Sequence, residues 1–284
     1  MKGLKNMKSN EIHIRDPFIL LEDGTYYLYS AEVPGFKVYK SDNLENWSEP
    51  VKIFTPDDDF WGMECFWAPE VHKYNGSYYL FSTHKGKNIC RGTQIFKSDS
   101  PEGPFFPHSN MAVTPHDWEC LDGTLYVEDG IPYMVFCHEW LQVKDGEMCY
   151  VQLSSDLKEA VGEPVIMFRA SESPCISSFD DNGNYITDGP FLYKTKKGKL
   201  LMIWSSFAKH GYCEAIAYSD NGKLTGNWKH ADKLLFEKDG GHGMIFKDKD
   251  GRIMLPLHHP NIDGKERLTL FELEEKDDTL CAKK

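Results

Sequence analysis

A turn followed by an aromatic or aliphatic run recurs five times along the 284 residues, and this repeat limits the fold more than any other feature of the chain. The copies are Asp23-Gly24 with TYYLYS, Asn75-Gly76 with SYYLFS, Asp129-Gly130 with IPYMVF, Lys197-Gly198 with KLLMIWSS, and Asp250-Gly251 with RIMLPLHH. Their glycines, at 24, 76, 130, 198 and 251, are 52, 54, 68 and 53 residues apart. Asn-Gly and Asp-Gly between strand-like runs mark hairpins, because a type I′ turn needs positive φ at both central residues. A second marker keeps step with the first: VYKSD, IFKSD, VQLSSD and IAYSD follow the first four hairpins, and LTLFELEE follows the fifth without the Ser-Asp. About four short strands per ~50-residue unit, five times over, describe an all-β five-bladed β-propeller. The spacings place the blades in one domain over 1–284, beginning near 14, 66, 120, 186 and 240. The long fourth spacing puts an insertion around 174–184, whose Ser, Asp, Asn and Gly read as a loop.

Composition narrows the partners. With 32 Lys and Arg against 44 Asp and Glu, the net charge is −12, so no excess cation is available for a nucleic-acid backbone. No apolar run approaches the ~18–20 residues that span a bilayer, which argues against a membrane partner. Residues 1–10 carry lysines without an apolar run behind them, and the eight cysteines are scattered without a C-x-x-C pair. Together these features predict a cytoplasmic protein with no signal peptide and with reduced thiols.

The strands that line a propeller channel bring residues from different blades to one mouth. Counting back from the turn glycines gives Asp16, Ala68, Asp122, Asp188 and His242, in RDPFIL, WAPEVH, LDGTLY, TDGPFL and GGHGMIF. Alone, each Asp is as readily a turn residue as a functional one. Three acids and an imidazole at one register form a cluster that cannot all be ionised cheaply. At least one carboxyl pKa should rise, as general acid and base work requires. A calcium cage of the three carboxylates is a further chemistry, though the dense Asp/Asn spacing of an EF-hand loop is missing.

These strings, in this order from about Ile14 to Glu275, resemble glycoside hydrolase family 43. The resemblance implies a five-bladed propeller that hydrolyses α-L-arabinofuranosides, β-D-xylosides and related plant-polysaccharide linkages with inversion, on an oligosaccharide substrate. Asp16 would match the general base, and Asp122 the aspartate that positions the acid and tunes its pKa. The acid of the family is a Glu in an E-G-P motif; here Asp188 stands in Thr187-Asp188-Gly189-Pro190, one methylene shorter. Glu70 and Glu139 are the substitute acids. Glu70 is otherwise a ligand of sugar hydroxyls, and Glu139 a loop carboxylate. His242 would match a family histidine near the axis that sits beside a cation, often calcium held through water; the chemistry itself would need no metal. Arg267 would match an arginine near the sugar.

Sugar C–H faces stack on aromatic rings, and Trp67, directly before Ala68, is the platform expected here. Phe66 and Trp140 lie near the same motifs, whereas Trp204, Tyr26, Tyr27, Tyr78 and Tyr79 read as packing between strands. Two rival functions remain: a non-catalytic sugar-binding propeller that lost its acid, and a glycoside phosphorylase, which would need a cluster of Arg and Lys at the pocket.

Overall fold

The turn residues set the hairpins. In a computed structural model of the chain, which describes residues 7–283, Asp23, Asn75 and Asp129 have φ of 46°, 46° and 52°, and the glycines after them 75°, 82° and 81°. Two consecutive positive φ angles give the type I′ turn, whose twist matches that of the strands it joins. The fourth and fifth hairpins close differently. The Gly198 amide donates to Thr195 O at 2.9 Å and the Gly251 amide to Asp248 O at 3.0 Å, with only the glycines (89° and 78°) left-handed. A type I turn capped by a left-handed glycine holds one residue more, which lengthens these two copies.

Five antiparallel four-stranded sheets follow, each ordered as the chain runs. Their first strands are Phe18–Glu22, Glu64–Tyr74, Cys120–Glu128, Asp188–Lys194 and Phe246–Lys247. These sheets are the blades of the propeller. A serine of each marker ends or follows a third strand and ties the turn after it: Ser41 Oγ accepts the amides of Asn43 and Leu44, Ser98 Oγ that of Ser100, and in VQLSSD Ser154, not the Ser155 of the Ser-Asp pair, accepts those of Lys158 and Glu159. Residues 173–187 carry no regular element, so the insertion is a loop; Asp180 organises it by accepting the amides of Asn182 and Asn184.

The chain closes the ring by returning to its own start. Ile14 N donates to Glu266 O and Leu268 N to Ile12 O, so the segment before the first blade pairs with the fifth. Ile12 and Ile14 are buried there. The core sits between blades. Trp204, fully buried, packs with Leu121, Val135, Met148 and Phe168 of the third blade and Met202 and Ala217 of its own. Tyr26, Tyr27, Tyr78 and Tyr79 are buried in the same manner among neighbouring strands.

The inner strands bend where they reach the axis. Strand register shifts between Trp67 and Glu70, between Leu121 and Thr124, and between Asp188 and Phe191. Each shift encloses one residue of positive φ: Ala68 at 44°, Asp122 at 56°, Gly189 at 47°. Such bulges re-aim side chains at a sheet end. In the first and fifth blades Asp16 (50°) and His242 (52°) adopt the same conformation just before the strand.

Removing one of the two fully buried indoles should be costly. Trp204→Ala is expected to lower unfolding free energy by about 3–5 kcal/mol, measured by urea denaturation, with Trp204→Phe losing much less.

Candidate active site

The five left-handed residues form a ring at the channel mouth, and this corrects the register drawn from the turns. Gly189, not Asp188, is the equivalent of Asp16, Ala68, Asp122 and His242. Asp188 stands one place earlier, level with Arg15, Trp67, Leu121 and Gly241. The fourth turn adds one residue, as the fifth does, so the ring position lies nine before the turn glycine, whereas Asp188 lies ten before it. The ring residue always precedes Pro or Gly (Asp16-Pro17, Ala68-Pro69, Asp122-Gly123, Gly189-Pro190, His242-Gly243), but Asp188 precedes Gly189 as well, so this pattern does not separate the two. Glycine is required at 189, since a Cβ there would lie 2.6 Å from His242 Cδ2. The imidazole fills the space that a fourth-blade side chain would take.

A cavity of about 510 Å³ opens over this ring. Asp16, Asp122, Asp188, His242, Trp67, Phe66, Glu139 and Trp140 all line it. Tyr212 and Arg15, which the sequence did not single out, line it as well. Two candidates lie elsewhere. Glu70 is buried against His72, with Oε2 2.9 Å from Nε2, and Arg267 donates to its neighbour's carbonyl, Glu266 O, at 2.8 Å. Neither borders the cavity. Trp67 is 41% exposed, and the Arg91 guanidinium backs its ring at 4.7 Å from the centroid. Arg91 also donates to Glu139 Oε2 at 2.7 Å, so that carboxylate is held in an ion pair.

The charges divide into two groups. His242 Nδ1 lies 3.0 Å from Asp16 Oδ1 and 3.9 Å from Asp122 Oδ2. Burial alone drives an imidazole toward neutrality, as at His84, which is pushed down to about 3 in an apolar setting. At His242 burial acts in the same direction, but Asp16, Asp122 and Asp188 overcome it and raise the group to about 10. The imidazolium answers in kind. Burial works to raise the Asp16 carboxyl, yet His242 and then His258 hold it well below the ordinary 3.8. His258 Nδ1 sits 3.3 Å from the Asp16 amide and 3.4 Å from its carboxylate.

Asp122 and Asp188 go the other way. Burial, opposed by His242 and reinforced by Asp188 and Asp16, pushes Asp122 up to about 8. Burial likewise raises Asp188, against the pull of His242 and of the Tyr212 hydroxyl. That hydroxyl donates to Asp188 Oδ2 at 2.9 Å, and the Gly189 amide donates to Asp122 Oδ2 at 3.1 Å. At neutral pH the cavity thus holds one firm carboxylate and a linked pair that retains a proton.

Calcium takes six to eight hard oxygen ligands. Among the described residues no group of three or more His, Cys, Asp or Glu is arranged to hold a metal ion. The His242 nitrogen facing the acids carries a proton. These residues do not form a direct coordination shell.

The family model for glycosyl hydrolases family 43 matches residues 11–272. A solved endo-arabinase from Bacteroides thetaiotaomicron is 41% identical with a TM-score of 0.93, over 97% of this chain and 99% of that one. An α-L-arabinofuranosidase from Lactobacillus brevis shares the fold at a TM-score of 0.78 and 16% identity, over 99% and 95% of the two chains. Among curated relatives, a xylosidase/arabinosidase of Bacteroides ovatus is 23% identical over 75% of this chain and 76% of its own. An extracellular endo-α-(1→5)-L-arabinanase of Bacillus subtilis is 25% identical over 48% of this chain, which spans only 46% of that protein's length. Such relatives, with an extracellular exo-arabinofuranosidase of Streptomyces chartreusis, overturn the cytoplasmic expectation. The cysteines could not support it: Cys120, Cys137, Cys149 and Cys213 are sealed in the core, where thiols stay unpaired in any compartment.

The ring geometry makes one glycine decisive. Gly189→Ala should cost about 1–3 kcal/mol through overpacking and displace His242, abolishing whatever chemistry Asp16 performs. Gly251→Ala, strained by its φ of 78° but with open space around its Cβ, should lose about 1–2 kcal/mol and no activity. Thermal melting and turnover assays on both variants check this.

Proposed function

Because the chain belongs to glycosyl hydrolases family 43, we propose that it hydrolyses α-L-arabinofuranosidic linkages of arabinan-type oligosaccharides with inversion at the anomeric carbon. The carrying observation is the split of proton affinities within one cavity. Asp16 is a carboxylate at any pH where the enzyme works, fit to take a proton from the attacking water. Asp188, raised by burial and coupled to Asp122, draws on the proton that the pair retains and passes it to the leaving oxygen. With its Oδ2 engaged by Tyr212, the other oxygen is free to face the glycosidic bond. Asp122 is linked to Asp188 by charge: ionising either acid makes the other harder to ionise.

The arabinan preference draws on the 41% identical endo-arabinase. It also draws on Trp67 and Trp140, which border the cavity and offer flat faces to a small furanose. Phosphorolysis is disfavoured by the cations themselves. Arg15 is paired with Glu266 at 2.9 Å and His242 with Asp16 at 3.0 Å, which leaves neither to hold a phosphate.

Product NMR on arabino-oligosaccharides in the first minutes of reaction should show the β-anomer appearing before mutarotation; the α-anomer first would refute inversion. Asp188→Ala should lower turnover of natural linkages by about 10²–10⁴-fold while sparing nitrophenyl arabinofuranoside, whose leaving group needs no proton. Equal losses on both would remove Asp188 from the acid role. In the pH profile of kcat/KM, activity requires Asp16 ionised and the acid protonated. Its acidic limb should therefore lie below pH 3.8, and its basic limb near the value of about 8 for the Asp122 and Asp188 pair.

A further inference from the structure

Glu214 is a fully buried carboxyl that does not reach the cavity and has no place in the chemistry above. It lies on the third strand of the fourth blade, Gly211–Ser219, directly across from Ser205. Its Oε2 accepts two hydrogen bonds, from Ser205 Oγ at 2.9 Å and from the Gly243 amide at 3.0 Å. Ser205 Oγ in turn accepts the His242 amide at 2.6 Å. Both amides of the His242-Gly243 stretch therefore end on this one carboxyl, one directly and one through a hydroxyl.

The surroundings leave that stretch little freedom. A Cβ on Gly241 would lie 2.6 Å from Ser205 Oγ, and one on Gly243 2.6 Å from Leu255 Cδ1. His242 itself is held at φ 52°, a conformation that costs a non-glycine residue roughly 1–2 kcal/mol and persists only where its surroundings over-determine it. The other Glu214 oxygen, Oε1, is buried without a hydrogen-bond partner. A buried carboxyl left half satisfied is costly, and replacing it with an apolar group would relieve the cost.

We infer that Glu214 is a positioning residue: by anchoring both amides it aims the His242 imidazole at Asp16, and so holds the base in place. This rests on the reading of Asp16 as the base. Burial raises Glu214 to about 7, with His242 opposing and Asp188 adding to the rise. The other charged or titratable groups around its target are Asp16, Asp122, His258, Tyr212 and Arg15.

Glu214→Leu, which removes the acceptor at similar volume, and Ser205→Ala test it, the second variant leaving Glu214 intact should the first fold poorly. Each should lower kcat by about 10–100-fold, the scale of a small misplacement of a reacting group, with KM within twofold. Each should also shift the imidazole ¹⁵N resonances of His242. In a His242→Ala background, Glu214→Leu should cost nothing further, because the link it acts through is gone. Losses that multiply in that background, or unchanged His242 resonances in both variants, would overturn the inference. Shifted resonances with undiminished kcat would uphold the aiming of His242 and refute instead the base role of Asp16.

Discussion

The contact between the His242 imidazolium and the Asp16 carboxylate organises the whole channel mouth. Its strength is visible against His84, an equally enclosed imidazole with no acid beside it. Burial takes His84 down to about 3, whereas three carboxyls carry His242 to about 10. Opposite charge therefore outweighs desolvation here. The gain is shared unequally. Asp16 lies nearest and becomes a firm anion, while Asp122, at 3.9 Å from the same nitrogen, remains a weak acid. One cation thus separates three chemically identical side chains into a base and a proton-holding pair, the pattern of acid and base assignment expected where environments push like groups apart.

The backbone makes that separation possible. Four non-glycine residues in left-handed conformation would each cost the fold roughly 1–2 kcal/mol, and each sits where a bulge or strand start turns a side chain toward the axis. The fifth place, Gly189, supplies no side chain and makes room for His242. Asp188 reaches the cavity from the neighbouring position instead, so it meets Tyr212 rather than the imidazole. Ring and acid are built on strands fixed by the inter-blade packing of residues such as Trp204, which keeps the geometry in place without a lid.

The propeller was legible because its signals are local: a left-handed glycine closes each of the five hairpins, and in four blades a serine at or just after the end of the third strand ties the next turn. Asp16, Asp122 and His242 were legible for the same reason, lying eight, eight and nine residues before a turn glycine. Asp188 was read ten residues before its glycine and so misplaced by one: the type I turn of the fourth hairpin adds a single residue, as in the fifth, which puts the ring position nine before, at Gly189. Tyr212, His258 and Glu214 were not legible. They reach the site from second and third strands, where the spacing to a turn says nothing about which residue faces the axis. Glu70 and Arg267 show the converse: both were singled out in the sequence, but Glu70, two residues from Ala68, faces His72, and Arg267 turns to the adjoining carbonyl of Glu266.

The distribution of protons among the three aspartates is what the proposed chemistry stands on, and carboxyl ¹³C NMR reads it directly. In protein labelled at the aspartate carboxyls and titrated from pH 3.5 to 9.5, Asp16 should stay in its ionised position throughout. Asp122 and Asp188 should titrate as a linked pair that releases its last proton near a pH of about 8. Three independent titrations near pH 4, or a proton on Asp16 at neutral pH, would contradict the division of roles.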